Sequence, residues 1–207
     1  MKVNKPLNDI LSSKVKIECL RYLCNYPTEL NGRQLSQLLK ITPRSIHKAM
    51  AFLVDEGVVN LNPHGNSFGY SLNKDKWVVK RLLLPLFRNE KIFLDEIIEN
   101  INKEIAQLVS QKSILSVALF GSVHKKEDSS RSDFDLFILV DKEDHIPKVE
   151  EEMAQIGTKL LKAYGVVLGP YVKSFISFNK DKSLNVIKSI LSSHQHVYGK
   201  ELSKYVR

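Results

Sequence analysis

Cysteine is scarce in this sequence of 207 residues, which contains Cys19 and Cys24 and no other. The two lie within an apolar stretch of helical pattern, and their spacing suits neither a disulfide framework nor a zinc site. We therefore expect both to be buried thiols of a protein that resides in a reducing compartment.

Long hydrophobic runs are also missing from the sequence. The longest apolar runs fall well short of the roughly 20 residues that span a bilayer, and no signal-peptide pattern opens the chain. These absences predict a cytoplasmic protein that makes no contact with a membrane.

Strict heptad repeats are absent from the amphipathic run at residues 95–105, which disfavours a long coiled coil. We interpret residues 81–112 as a helical connector that packs against its neighbouring domains. A homodimer formed through this connector stays an open alternative.

Positive charge, by contrast, is abundant and unevenly placed. The formal net charge is +8, and the first 81 residues carry 13 Lys and Arg against 6 Asp and Glu, while the remainder carries 18 against 17. Such a local excess of positive charge is typical of a protein that binds a polyanion. The sequence thus has a basic front and a nearly neutral back.

Residues 1–80 show three helical segments followed by a hairpin pattern. Asn31 is a predicted N-cap of the second helix, and Thr42-Pro43 is a strong start signal for the third, which Gly57 ends. Two short strand patterns then flank the polar turn His64-Gly65-Asn66. This order resembles the winged helix-turn-helix family, which implies binding of double-stranded DNA.

The third helix would be the recognition helix of such a domain. Its polar face would present Arg44, Ser45, His47 and Lys48 to DNA, with Arg44 suited to a guanine and Lys48 to a phosphate. The hairpin tip would form the wing, with Lys74 and Lys76 near backbone phosphates. The alternative is a winged-helix interaction module whose charged face is merely solvated.

A second group of residues predicts chemistry on phosphates. Gly121-Ser122 ends one apolar strand pattern, and ten residues later Asp133 and Asp135 alternate on another. A glycine lets backbone N–H groups approach a phosphate, while two carboxylates on one face of a strand, completed by substrate phosphates, suit Mg²⁺.

Gly-Ser, ten residues and Asp-x-Asp resemble the minimal members of the DNA polymerase β-like nucleotidyltransferases. The resemblance covers roughly residues 113–202. It implies that Gly121, Ser122 and Ser132 bind a nucleoside triphosphate and that Asp133 and Asp135 are catalytic and bind Mg²⁺. Loop residues Lys125, Lys126 and Arg131 could neutralise phosphate charge. The acceptor hydroxyl could belong to a protein, a nucleic acid or a small molecule.

One departure from this family keeps two functions open. Active members usually carry a third carboxylate on a later strand, and the corresponding segment at 165–178 contains no acid. The protein is therefore either a nucleotidyltransferase joined to a DNA-binding domain, or a DNA-binding regulator whose nucleotidyltransferase domain binds nucleotide without catalysis.

The sequence thus predicts an α+β protein of two domains. A winged helix-turn-helix at 1–80 would be followed by the connector at 81–112 and by a nucleotidyltransferase domain with a small mixed sheet at 113–207.

Overall fold

A computed structural model describes residues 2–64, 67–129 and 132–206 of the chain. The chain folds into two compact units, Met1–Phe93 and Leu94–Arg207. The finer division into two domains and a connector stays a prediction. Of the predicted functional residues, Gly65 and Asn66 at the wing tip and Arg131 lie outside the described residues.

The first unit contains helices followed by a hairpin, in the order that the sequence predicts. Its elements are α1 (Leu7–Ile10), α2 (Lys14–Asn25), β1 (Leu30–Asn31), α3 (Gly32–Leu39), α4 (Pro43–Asp55), β2 (Val59–His64) and β3 (Ser67–Leu72). The strands form an antiparallel sheet in the order β1-β3-β2. The helices α2, α3 and α4, followed by the hairpin of β2 and β3, form the arrangement of a winged helix.

Local signals explain where these helices begin and end. The Asn31 side chain accepts the Gln34 N–H while the Gln34 side chain accepts the Asn31 N–H, which forms a capping box. Thr42 caps α4 with Pro43 at its first position. After α4, Gly57 adopts a φ of +67°, a left-handed conformation that glycine reaches without a Cβ penalty. The predicted caps are thereby confirmed.

The core of the first unit is formed by one apolar face from each of these helices. Leu20 on α2, Leu35 on α3, and Ile46, Met50 and Leu53 on α4 are completely buried. Residues three and four apart share one face of a helix, so burying that face leaves the opposite side of α4 exposed.

A helical segment follows the hairpin. A single stretch of π-helix at Val79–Leu83 leads into α5 (Leu84–Ile105), which begins in the first unit and ends in the second. Helix α5 thus covers most of the segment at 81–112 that the sequence predicts as a helical connector.

The second unit contains a small mixed sheet. Its elements are β4 (Ile114–Leu119), α6 (Gly121–Lys125), β5 (Phe134–Val140), α7 (Ile146–Tyr164), β6 (Leu168–Ser174), α8 (Phe175–Lys180), α9 (Asn185–Ser192) and β7 (Gln195–Gly199). The strand order is β6-β5-β4-β7, with β6 parallel to β5 and the other pairs antiparallel. The predicted α+β class is confirmed.

Both faces of this sheet are covered by side chains. Met153 and Ile156 of α7 pack in one buried cluster with alternate residues of β5, and Phe178 and Ile187 pack with Phe137 in another. The central strands β4 and β5 are therefore fixed on both sides, and the loops at their ends are held next to each other.

No helix in the described part of the chain combines the length and the apolar character needed to cross a membrane.

Candidate functional site

The Gly-Ser turn and the aspartates meet at one edge of the second sheet. Strand β4 ends at Leu119, which pairs with Leu136 on β5. The next residue, Phe120, donates its N–H to the carbonyl oxygen of Asp135 at 3.0 Å. This antiparallel pairing brings Gly121 beside Asp135, although fourteen positions separate them in the sequence.

Glycine is required at position 121 for two reasons. Its φ of +77° lies in the left-handed region, and a Cβ built there would overlap Oδ2 of Asp135. The Asp135 carboxylate therefore lies directly against the backbone at the start of Gly121-Ser122. Such close approach of backbone and carboxylate is what a shared metal–phosphate site needs.

A second glycine flanks Asp135 on the opposite side. Gly169 on β6 is the parallel partner of Asp135. A Cβ at position 169 would lie 3.1 Å from Oδ1 of Asp135 and 3.7 Å from Cβ of Asp133. A side chain at this position would project towards both aspartates, so Gly169 occupies the point from which a third carboxylate would reach them.

The sequence shows that the segment at 165–178 lacks an acid. It does not show that position 169 is the one that faces the two aspartates. In the described residues, no group of three His, Cys, Asp or Glu side chains is placed to hold a metal ion. The identification of Gly169 depends on strand register, and the sequence signal for it was the glycine within an apolar strand pattern.

The electrostatics of the two aspartates favour a bound cation. Asp133 is exposed directly before β5, while Asp135 is partly buried. Burial raises the pKa of the Asp135 carboxyl, and the negative charge of Asp133 raises it further. A divalent cation would offset both the burial of the Asp135 carboxylate and its repulsion by Asp133, because its positive charge lies next to both carboxylates. The pair therefore fits a divalent cation whose remaining ligands would come from substrate phosphates and water.

The remaining predicted nucleotide-binding residues lie around this edge. Ser122 is partly buried at the start of α6. The Ser132 hydroxyl accepts the Ser129 N–H at 2.8 Å, so it shapes the loop that leads to Asp133. Lys125 and Lys126 are exposed at the end of α6. The structure thus brings together Gly121 and Asp135, with the loop serines and lysines at the periphery.

The predicted recognition helix is α4. Arg44, His47 and Lys48 are exposed along it, at positions i, i+3 and i+4 of one helical face. Ser45 is only partly exposed, because its N–H donates to the Thr42 hydroxyl at 3.4 Å and its own hydroxyl accepts from Thr42 at 3.0 Å. Ser45 therefore contributes to the helix cap, while the other three side chains form a basic surface.

Two residues next to this surface escaped sequence reasoning. Arg33 on α3 and Phe68 on β3 border a cavity of about 440 Å³ together with His47. The Phe68 side chain is 58% exposed, whereas Tyr70, two positions along the strand, is buried. The alternation of a half-buried strand places Phe68 outward and could have identified it.

This chain is similar to known proteins in a family model and in a solved structure. HlyU from Vibrio cholerae N16961 is one structural neighbour, with a TM-score of 0.36 and 23% sequence identity over 42% of this chain and 96% of that chain. No curated protein sequence matches. Residues 102–202, which contain Gly121-Ser122 and both aspartates, match the family model described as "Polymerase beta, Nucleotidyltransferase".

Proposed function

We propose that this protein transfers a nucleoside monophosphate from a Mg²⁺-bound nucleoside triphosphate to an acceptor hydroxyl. The observation that carries the proposal is the direct packing of the Asp135 carboxylate against Gly121. It supports the proposal because the carboxylate pair that would hold a metal ion then lies next to the backbone turn that would receive the phosphates. The family match over residues 102–202 supports the same reaction class.

The residues have separate parts in this reaction. Asp133 and Asp135 would hold the metal, and the turn at Gly121-Ser122 with Ser132 would position the triphosphate. Mg²⁺ would neutralise phosphate charge as the acceptor oxygen attacks the α-phosphorus. A phosphorus–oxygen bond to the acceptor forms, the bond to the β-phosphate oxygen breaks and pyrophosphate leaves. The acceptor proton would pass to solvent, since the segment at 165–178 contains no acid.

Calorimetric titration tests the nucleotide site directly. Wild-type protein is titrated with each nucleoside triphosphate in Mg²⁺ and compared with Asp133→Ala/Asp135→Ala. We expect metal-dependent binding in the wild type and its loss in the variant, because both metal ligands are removed. Equal binding by the two proteins would disprove these metal roles. Transfer of an α-labelled nucleotide to protein, nucleic acid or small hydroxyl compounds then identifies the acceptor.

Gly169 favours a second candidate, a DNA-binding regulator whose second unit binds nucleotide without transferring it. Glycine stands where a third carboxylate would reach both aspartates, and a missing carboxylate removes a proton acceptor or metal ligand. The substitution Gly169→Asp separates the two candidates, with Gly169→Asn as a control of equal size. If label transfer appears only in Gly169→Asp, the wild type is a binding domain. Transfer by the wild type supports the enzyme.

The first unit would bind double-stranded DNA in both cases, through α4. Arg44, His47 and Lys48 form the exposed face of this helix. The positive net charge of the first 81 residues attracts the phosphates of DNA. We expect Arg44→Ala to weaken binding to a selected duplex at least tenfold in a mobility-shift assay. Lys80→Ala removes an exposed cation outside α4, so it should bind as the wild type does. Unchanged binding by Arg44→Ala would remove α4 from the interface, and equal weakening by the two substitutions would mean that the loss reflects net charge and not a contact of α4.

Several finer features belong to this proposal and have their own tests. They are the domain boundaries at 80 and 112, a cytoplasmic location, a protein acceptor and a homodimer. Light scattering of the purified chain determines its oligomeric state.

A further inference from the structure

A cavity of about 530 Å³ lies within the first unit. Its walls come from the end of α2, the turn that follows it, the segment after β3 and one side of α5. The residues that line it are Cys24, Asn25, Pro27, Lys74, Leu84, Arg88, Lys91 and Ile92. Its volume falls in the range of ligand pockets, about 300–1,000 Å³.

The charged side chains that line this cavity are all positive. Lys74, Arg88 and Lys91 are cations, and no lining residue is acidic. The acid nearest to them on α5, Glu90, instead accepts two hydrogen bonds from Arg21, at 2.6 and 2.8 Å. Because that bidentate pair engages the Glu90 carboxylate, it leaves the cavity with a positive potential that favours an anion.

The rest of the lining is largely apolar. Pro27, Leu84 and Ile92 provide hydrocarbon surface, and Ile92 is 44% exposed. Burial raises the pKa of the Cys24 thiol to about 12 despite the opposing effect of Arg88. Cys24 is therefore a neutral wall residue, and it does not neutralise the arginine.

We infer that this cavity binds a small organic acid, with its carboxylate at Arg88 and Lys91 and its hydrocarbon portion against Leu84 and Ile92. The concave, partly apolar walls fit a compact amphipathic anion better than a DNA backbone, which needs a surface that follows many phosphates. This inference concerns the first unit and is independent of the proposed nucleotidyl transfer.

Titration of the full chain with three probes tests the inference. Octanoate carries a carboxylate and a hydrocarbon chain, acetate carries the carboxylate alone, and inorganic phosphate carries charge without apolar surface. We expect octanoate to bind with a stoichiometry of one and at least tenfold more tightly than acetate or phosphate. Equal affinities for octanoate and phosphate would overturn the organic-acid assignment.

Variants on α5 locate the site. Arg88→Gln/Lys91→Gln changes exposed side chains and should lower octanoate affinity at least tenfold, whereas Lys80→Gln/Arg81→Gln, also exposed, should not. Ile92→Gln should weaken octanoate and leave acetate unchanged. The inference fails if the two charge variants bind octanoate equally. It also fails if Arg88→Gln/Lys91→Gln loses DNA affinity and keeps octanoate affinity, since those cations would then serve DNA.

Discussion

Asp135 lies between two glycines, Gly121 and Gly169, and a side chain at either position would contact its carboxylate. Gly121 permits the carboxylate to contact the backbone, and Gly169 approaches it so closely that a Cβ there would lie 3.1 Å from Oδ1 of Asp135. We predict that Gly121→Ala abolishes nucleotide binding, with at least a tenfold loss of affinity, because a methyl group would overlap the carboxylate.

Gly165→Ala is the matched control for this prediction. Gly165 also has a positive φ, +71°, but a Cβ there would meet nothing within 4 Å. The control shares the backbone strain and lacks the overlap. Calorimetry with Mg²⁺ and nucleotide compares the two variants. If both lose affinity equally, backbone strain is the cause and the carboxylate contact is irrelevant.

The raised pKa of Asp135 predicts that the aspartate destabilises the metal-free fold. The folded state holds the proton more tightly than the unfolded state, because burial and then Asp133 disfavour the charged form. Stability contributed by the neutral carboxyl is therefore lost as pH rises through the folded pKa. Asp135→Asn should therefore raise the Tm at pH 7 in the presence of a chelator.

Melting curves at a series of pH values check this sign. The stabilisation by Asp135→Asn should shrink as pH falls through the folded pKa, since the wild-type carboxyl is then neutral as well. Asp128→Asn, at an exposed loop position, controls for a change in net charge. An unchanged or lower Tm for Asp135→Asn at pH 7 would contradict the argument.

Helix α4 is the element for which the sequence was most informative, because its start depends on local chemistry. The Thr42 hydroxyl accepts the Ser45 N–H, and Pro43 occupies the first helical position. We predict that Thr42→Ala lowers the free energy of unfolding by about 1 kcal/mol. Thr42→Ser, which keeps the hydroxyl, should retain most of it. Urea denaturation measures both, and equal losses would show that the cap hydroxyl is not the source of the stability.

Other elements depended on contacts that no local pattern contains. Residues 175–178 continue an apolar pattern that suits a strand, yet α8 begins at Phe175, where the Ser174 side chain accepts the Ser177 N–H. The strand β7 (Gln195–Gly199) was missed because it is short and polar, and its pairing with β4 defines it.

In the candidate site, too, some residues could be predicted from local sequence patterns and others could not. Gly121-Ser122 and the two aspartates could be predicted because each ends or begins an apolar strand pattern. The role of Gly169 could not, because parallel pairing between β5 and β6 determines which residue faces Asp135.

At the scale of the whole molecule, positive charge is concentrated in the first part of the chain. The first 81 residues carry an excess of seven positive charges out of a net +8, and the remainder is close to neutral. A polyanion should therefore be attracted to the winged-helix part, and its affinity should depend steeply on salt, because bound phosphates release counterions.

Lys48→Ala tests this separation. If Lys48 contacts a phosphate, its removal should reduce the magnitude of the slope of log affinity against log salt concentration by about 1. Lys200→Ala removes a cation from the nearly neutral part, so its slope should equal that of the wild type. Fluorescence anisotropy with a labelled duplex at several salt concentrations gives all three slopes. A change in slope for Lys200→Ala as large as that for Lys48→Ala would mean that DNA contacts both parts of the chain, and that the basic front does not determine where DNA binds.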